Sequence, residues 1–245
     1  MGDEKICSVT PCRSSCGQSS STLFTMTISR PRPPHRYINH SSQLSPSMDN
    51  LDSKTTSNSE LIVSSPYQGK EHRLDLTSVS ETSKQLALAL QTLRPVTNEY
   101  PSQPYSQSFN WQEITDSLPS YFSGTRLPDH LLISGEFYCI AFYSTLHPNI
   151  DTSKLHYLDS LAHAEANQSG GLLKYWWQNP PDPTTRKNLA TCVWTNWDNA
   201  KRAGRLPMHE KAMNVTRDSY EKWSVERYYL KISPRNQWEL ERIKL

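Results

Sequence analysis

Between Glu136 and Ile232 the apolar positions switch between the period of a strand and that of a helix. The order is strand, helix, strand, strand, helix, strand. Phe137-Tyr-Cys-Ile-Ala-Phe-Tyr-Ser144 is a nearly continuous apolar run, the pattern of a strand covered on both faces. Pro148 and Asp151 mark a turn and a helix cap, and Leu155, Leu158, Leu161 and Ala162 give a helix over residues 152–168 its inner side. Gly170-Gly171 ends it. Leu172–Gln178 and Leu189–Thr195 are the second and third strands, joined through Asn179-Pro-Pro-Asp-Pro183. Asp198 caps a second helix that falters at Gly204 and restarts after Pro207, a favoured first-turn residue. Met213, Thr216 and Tyr220 continue its inner stripe, and Val225–Ile232 is the last strand. This order predicts an α+β fold with a ferredoxin-like βαββαβ core.

Upstream, Leu86, Leu90 and Leu93 form a helical stripe over residues 80–94 that Pro95 stops. Asn110-Trp-Gln-Glu113 has the spacing of a capping box and predicts a short helix to Ser117. A loop with Pro119, Gly124 and Pro128 follows. All seven Trp lie at or after Trp111. The preceding chain is rich in Ser, Thr and Pro, and cannot bury enough apolar surface to offset its chain entropy. Residues 1–78 are therefore expected as a disordered tail, 79–134 as a helical and extended segment packed on the core, and 135–245 as the ferredoxin-like domain.

The strands read as apolar on both faces. Phe137, Cys139, Ala141 and Tyr143 oppose Tyr138, Ile140 and Phe142 in the first; Leu173, Tyr175 and Trp177 oppose Leu172 and Trp176 in the second. Two helices cover one face only, and an exposed patch of that size is unusual on a monomer. The second face needs either a second copy of the sheet, which makes a dimeric barrel and the chain a homodimer, or residues 80–122 folded back onto it.

A net charge of +2 argues against a polyanionic partner. Five cysteines with no apolar leader segment point to a reducing, intracellular setting. The Asn39, Asn167 and Asn214 sequons then carry no glycan. No apolar run approaches the length of a membrane span. Lys5 to Met48 holds basic residues and no acidic one, as transit peptides do. However, Asp3 and Glu4 open the chain, and Arg30-Pro-Arg-Pro-Pro cannot form an amphipathic helix. A cytoplasmic location is expected, and a chain of 28.1 kDa could also occupy the nucleus.

Gly170-Gly-Leu-Leu-Lys-Tyr-Trp-Trp177, Asn188-Leu-Ala-Thr-Cys-Val-Trp194 and Tyr220-Glu-Lys-Trp-Ser-Val-Glu-Arg227 resemble one of the UPF-numbered protein families, known mainly from fungi. The resemblance extends upstream through Leu93-Arg-Pro-Val and Ser108-Phe-Asn-Trp111, spans residues 86–232 and implies no reaction. In strand order the core also resembles, more distantly, the dimeric α/β-barrel superfamily that includes antibiotic-biosynthesis-type monooxygenases and haem-degrading enzymes.

Chemistry has few candidates. His156 and His163 lie two helical turns apart, about 10 Å along the axis, too far to chelate one ion. His163 could take Asp159, four residues earlier, as an orienting carboxylate; otherwise both imidazoles belong to a polar outer face. His209 opens the helix after Pro207, but Met213 stands where a His-Glu-x-x-His zinc motif needs its second histidine. Tyr175, Trp177 and Trp194, with Arg227 or Lys174 for an acidic group, would line a pocket for a flat apolar ligand or serve simply as core. The aromatic positions and glycine of an RNA-recognition strand are absent from Lys187-Asn-Leu-Ala-Thr191. With eight Gly in the chain there is no phosphate-cradling or nucleophile-elbow pattern. Cys7, Cys12 and Cys16 fit no paired zinc spacing.

Two readings stay open. One is a site that binds or oxidises a small aromatic molecule, with His163 and His209 as catalytic candidates and Tyr175, Trp177, Trp194 and Arg227 binding. The other is a non-catalytic interaction module with a purely structural aromatic core. No cofactor, metal, nucleic-acid or membrane partner is indicated.

Overall fold

The computed structural model describes residues 60–118, 134–178, 182–233 and 237–244. The expected loop around Gly124, most of the Asn179–Pro183 connection and residues 1–59 of the tail lie outside the described residues. Strands β1 (Leu61–Val63) and β2 (Arg73–Asp75) pair antiparallel, followed by helices α1 (Glu81–Ala89), α2 (Tyr105–Ser108) and α3 (Trp111–Asp116). The core follows as β3 (Gly135–Leu146), α4 (Thr152–Ser169), β4 (Leu172–Trp176), β5 (Lys187–Trp194), α5 (Trp197–Ala203), α6 (Pro207–Thr216) and β6 (Tyr220–Ile232). A further strand, β7 (Trp238–Arg242), follows.

The sheet runs β4-β5-β3-β6-β7, each neighbour antiparallel. The first four strands have the ferredoxin-like order that the sequence predicts. β7 was not anticipated: it extends the sheet along the otherwise free edge of β6. Register sets cross-strand rows, with Ile140 opposite Cys192 on one side and Arg227 on the other.

As the alternation of β3 predicts, Tyr138 and Ile140 pack toward the helices, while Phe137, Cys139, Ala141 and Tyr143 face away. That second face is covered by the chain's own upstream segment rather than by another copy. Leu86, Leu90, Tyr105, Phe109, Trp111 and Ile114 are buried against it. Each such side chain contributes roughly 1.5–3 kcal/mol by leaving water. The Tyr105 hydroxyl reaches Thr191 Oγ1 at 2.5 Å, and the Trp111 indole N–H donates to the Tyr105 carbonyl at 3.2 Å, so the polar tips are satisfied.

Several expectations need correction. Residues 60–78 are not part of a disordered tail: β1 and β2 pair, Leu74 and Leu76 are buried, and the Tyr175 amide donates to the Ser64 carbonyl at 2.6 Å. Asn110 starts α3 without a capping hydrogen bond. Its carboxamide accepts from the Arg94 amide and donates to the Thr92 carbonyl and Glu113, tying the exit of α1 to the start of α3. Asn196 rather than Asp198 caps α5.

The faces of β4 also differ from simple alternation. Against β5 the register slips between Leu172 and Lys174, a bulge that turns the following residues over. Leu173 and Trp176 therefore pack on the upstream segment, and Leu172 and Tyr175 face the helices. Just before β4, Gly171 has φ +84°, and a Cβ there would meet the Asn199 amide nitrogen at 2.3 Å. Only glycine fits that close approach to α5.

Candidate functional site

The helix side of the sheet and helices α4, α5 and α6 enclose a cavity of about 600 Å³. Its floor is built by Tyr138, Ile140 and Phe142 of β3, Ala190, Cys192 and Trp194 of β5, Tyr175 of β4 and Val225 and Arg227 of β6, with Trp177 just beyond β4. Its roof includes His156, Asp159 and Ala162 of α4, Ala200 and Ala203 of α5 and His209 and Ala212 of α6. The space exists because alanines stand at 162, 190, 200, 203 and 212, where larger side chains would close it.

Asp159 marks the inner end. Its Oδ2 accepts from the Tyr67 hydroxyl and, at 2.9 Å, from the Tyr175 hydroxyl. Burial raises the carboxyl above its ordinary range, although both hydroxyls act the other way. The Tyr67 hydroxyl is itself pushed up by burial and then by the Asp159 charge. The Trp177 indole N–H is buried near Tyr67, outside hydrogen-bond geometry, and the His156 ring lies 4.8 Å from the Trp177 ring.

His209 sits in the first turn of α6. The Met208 and His209 amides donate to Glu165 Oε2 at 2.8 and 3.4 Å, which fixes the start of α6 on α4. Burial lowers the His209 imidazole below its ordinary value, opposed by Asp159 and Glu165. Its Nδ1 is buried with no hydrogen-bond partner. It is therefore a neutral imidazole in a largely apolar space.

Five of the six candidates from sequence line this cavity: His209, Tyr175, Trp177, Trp194 and Arg227. His163 does not. It points away from the cavity, with its Nδ1 2.8 Å from His72 Nδ1, and its pKa is lowered to about 3 by burial and then by His72. Its expected pairing with Asp159 fails because Asp159 is held by the two tyrosines. Neither His156 nor His163 belongs to an outer face: the first lines the cavity, and the second is 5% exposed. Lys174 is buried outside the cavity, and burial lowers its pKa.

Tyr67 and His72 were not singled out by the sequence, and Asp159 was named only as a partner for His163. The first two fall in a stretch whose Ser and Pro content masks the short runs Leu61-Ile-Val63 and Arg73-Leu-Asp75. Among the described residues no cluster of three or more His, Cys, Asp or Glu could hold a metal ion, and no helix is long and apolar enough to cross a membrane.

A family model described as PB2B2.08-like matches residues 63–242. The UPF0643 protein PB2B2.08 of Schizosaccharomyces pombe is 37% identical over 187 residues, covering 74% of this chain and 83% of that protein. Solved structures similar to this chain include SnoaB, a cofactor-independent oxygenase from Streptomyces nogalater, at 13% identity and a TM-score of 0.30, covering 37% of this chain and 89% of that one. A conserved Bacteroides thetaiotaomicron protein of unknown function aligns at 10% identity and a TM-score of 0.32, covering 38% of this chain and 96% of that one. Likeness at this level says nothing about chemistry.

Proposed function

The chain belongs to the PB2B2.08-like family, and from that premise and the cavity between sheet and helices we propose that it binds a small aromatic molecule there. One observation carries this reading. Aromatic side chains and alanines make up much of the wall around about 600 Å³ of space, and the His209 side chain is part of that wall. Pockets of this size and lining, with few polar groups, are the usual form of small-molecule sites. Packing alone would favour filling the space.

The alternative, an interaction module working through its tail or the second sheet face, loses the second of these surfaces because residues of the upstream segment occupy it. A homodimer of this chain would have to use a different surface.

Turnover is a further step of the same reading. A hydroquinone-type ring would give two electrons and two protons to dioxygen, leaving as a quinone with hydrogen peroxide as the other product. The neutral His209 imidazole would take up a phenolic proton first.

The test uses the full chain. Thermal melting is screened against phenols, hydroquinones, aromatic acids, haem and flavins. A ligand at about 100 times its dissociation constant adds about 2.7 kcal/mol, a shift of several degrees. The Ala190→Phe variant puts a ring into the floor of the cavity and should weaken the shift while keeping the fold. A folded protein that responds to none of these classes, or an Ala190→Phe variant that responds as before, sinks the binding reading. Dioxygen uptake without matching peroxide from a bound hydroquinone, or no uptake, sinks the turnover step.

A further inference from the structure

Some residues that line the cavity are also exposed, so it opens to solvent: Met213 at 48% and Trp223 at 47% toward the Ser144 end of β3, and Trp197 at 42% in α5, where we place its mouth. The charged groups lining the cavity are unevenly placed. Its one acidic residue, Asp159, lies at the inner end, whereas Lys201, Arg205, Arg217 and Arg227 are all basic. Asp198, Glu210 and Asp218 belong to the neighbouring helices and turn but do not line the cavity.

Three of these cations gather toward α5. Arg227 occupies the row of Ile140, next to that of Tyr138, and its guanidinium interacts with the Tyr138 phenol. Ala200 and Ala203 of α5 belong to the same buried cluster as Tyr138. Lys201 and Arg205 thus flank the same stretch of wall, with the Lys201 ammonium 4.1 Å from the centre of the Trp197 ring. Among the described residues none of Lys201, Arg205 and Arg227 forms an ion pair with a carboxylate. A cluster of unpaired cations beside an apolar cavity attracts an anion.

The inner end does the opposite. A buried carboxyl and the neutral His209 imidazole offer nothing to balance a second negative charge. The two ends therefore select both a ligand type and its direction.

Resting on the small-molecule reading, we infer that the ligand is an aromatic acid: its rings lie among Phe142, Trp177 and Trp194, and its single anionic group is held at the mouth by Arg227, Lys201 and Arg205. A carboxylate and a phenolate share the chemistry that this clamp recognises; a neutral aromatic lacks it.

Matched pairs of two- and three-ring probes test this on the full chain: 2-naphthoate against 2-naphthamide, and anthracene-2-carboxylate against its amide. Titration calorimetry should show each acid binding at least about tenfold tighter than its amide, with an affinity that falls as salt rises. Arg227→Met should weaken the acid far more than the amide and so remove that preference. The Lys201→Met/Arg205→Met double variant changes only exposed side chains and should reduce the preference without disturbing the fold. Equal binding of acid and amide overturns the inference and leaves the aromatic site standing, as does an acid preference that survives both variants. Failure of both members of both pairs to bind overturns the inference together with the reading on which it rests. 2-Naphthol against 2-naphthoate, each near its own pKa, then separates the phenolate from the carboxylate.

Discussion

His72 and His163 face each other through their Nδ1 atoms at 2.8 Å, in a buried contact that joins the turn before β2 to the middle of α4. One ring must donate and the other accept, so the pair is neutral on at least one side. The Tyr67 and Tyr175 rings pack on His163 at 5.7 and 5.4 Å and exclude water. The His163 pKa, lowered to about 3 in the folded chain, compares with an ordinary 6.5. Below pH 6.5 the unfolded chain binds a proton that the folded chain refuses. Stability is thus full above pH 6.5 and falls as pH drops toward 3, by about 1.4 kcal/mol per unit at most. His209, also lowered, adds in the same direction. Urea denaturation at pH 7.5, 6.0 and 5.0 should show this fall. His163→Leu should cost about 1–3 kcal/mol at pH 7.5, because His72 loses its partner, and should flatten the slope between pH 6.5 and 5.0. A variant slope equal to that of the parent would remove His163 as the titrating group.

Asp159 Oδ2 is shared by two tyrosine hydroxyls from different parts of the chain. Tyr67→Phe and Tyr175→Phe should each cost about 1–2 kcal/mol. The double variant should cost more than the sum, because only then is the buried carboxyl left with neither donor. Additive losses in a double-mutant cycle would show that the two bonds act independently. Asp159→Asn keeps a hydrogen-bonding acceptor and removes the titrating carboxyl, so it should be better tolerated at pH 8 than at pH 5 relative to the parent.

The second sheet face gives a third expectation. Trp111 is 1% exposed and packs edge-on to Tyr105 and Phe109, whose rings reach Tyr228 and Trp176 of the sheet. Trp111→Ala should cost about 3–5 kcal/mol, as much as a core substitution within the sheet itself. A loss under 1 kcal/mol would mean that the upstream segment is a detachable cover.

The strand order, the two-faced character of β3 and the need for a cover over the second face were legible from alternation and helical spacing alone, since those patterns depend on burial. Tyr175, Trp177 and Trp194 were legible as aromatics in or next to strands, Arg227 as a cation in the last strand and His209 as the imidazole after Pro207, whereas the alanines that leave the space carried no such signal. The rest depended on features without a local signal. The bulge between Leu172 and Lys174 reverses which aromatics of β4 share a face, yet no residue there announces it. His163 and Asp159 have ideal i, i+4 spacing, but His163 pairs with His72 and Asp159 with Tyr67, both about 90 positions upstream, and with Tyr175. β7 holds the alternating charges of Trp238-Glu-Leu-Glu-Arg242, which suit a surface helix as well as an edge strand. Asn110 has the sequence of a cap and spends its carboxamide on Arg94 instead.

The ordered segment from Glu60 to Ser78 leads to the most decisive expectation. A chain beginning at residue 79 keeps every element of the βαββαβ core and both upstream helices that composition alone would retain. It also loses Leu74 and Leu76, both buried, each contributing roughly 1.5–3 kcal/mol. It removes His72 from His163, leaving that buried imidazole without its partner at about 1–3 kcal/mol, and takes one of two tyrosine donors from Asp159, which keeps Tyr175. It also strips the Ser64 carbonyl from the β4 edge. Together these losses reach the size of a whole domain's stability, about 5–15 kcal/mol. The shortened chain should be insoluble or should melt non-cooperatively by calorimetry, where the full chain melts as one transition. In the full-length chain, Leu74→Ala with Leu76→Ala should lower the melting temperature by many degrees but keep one transition. A soluble, cooperatively folded chain from residue 79 with an unchanged melting temperature would mean that residues 60–78 rest on the domain without stabilising it.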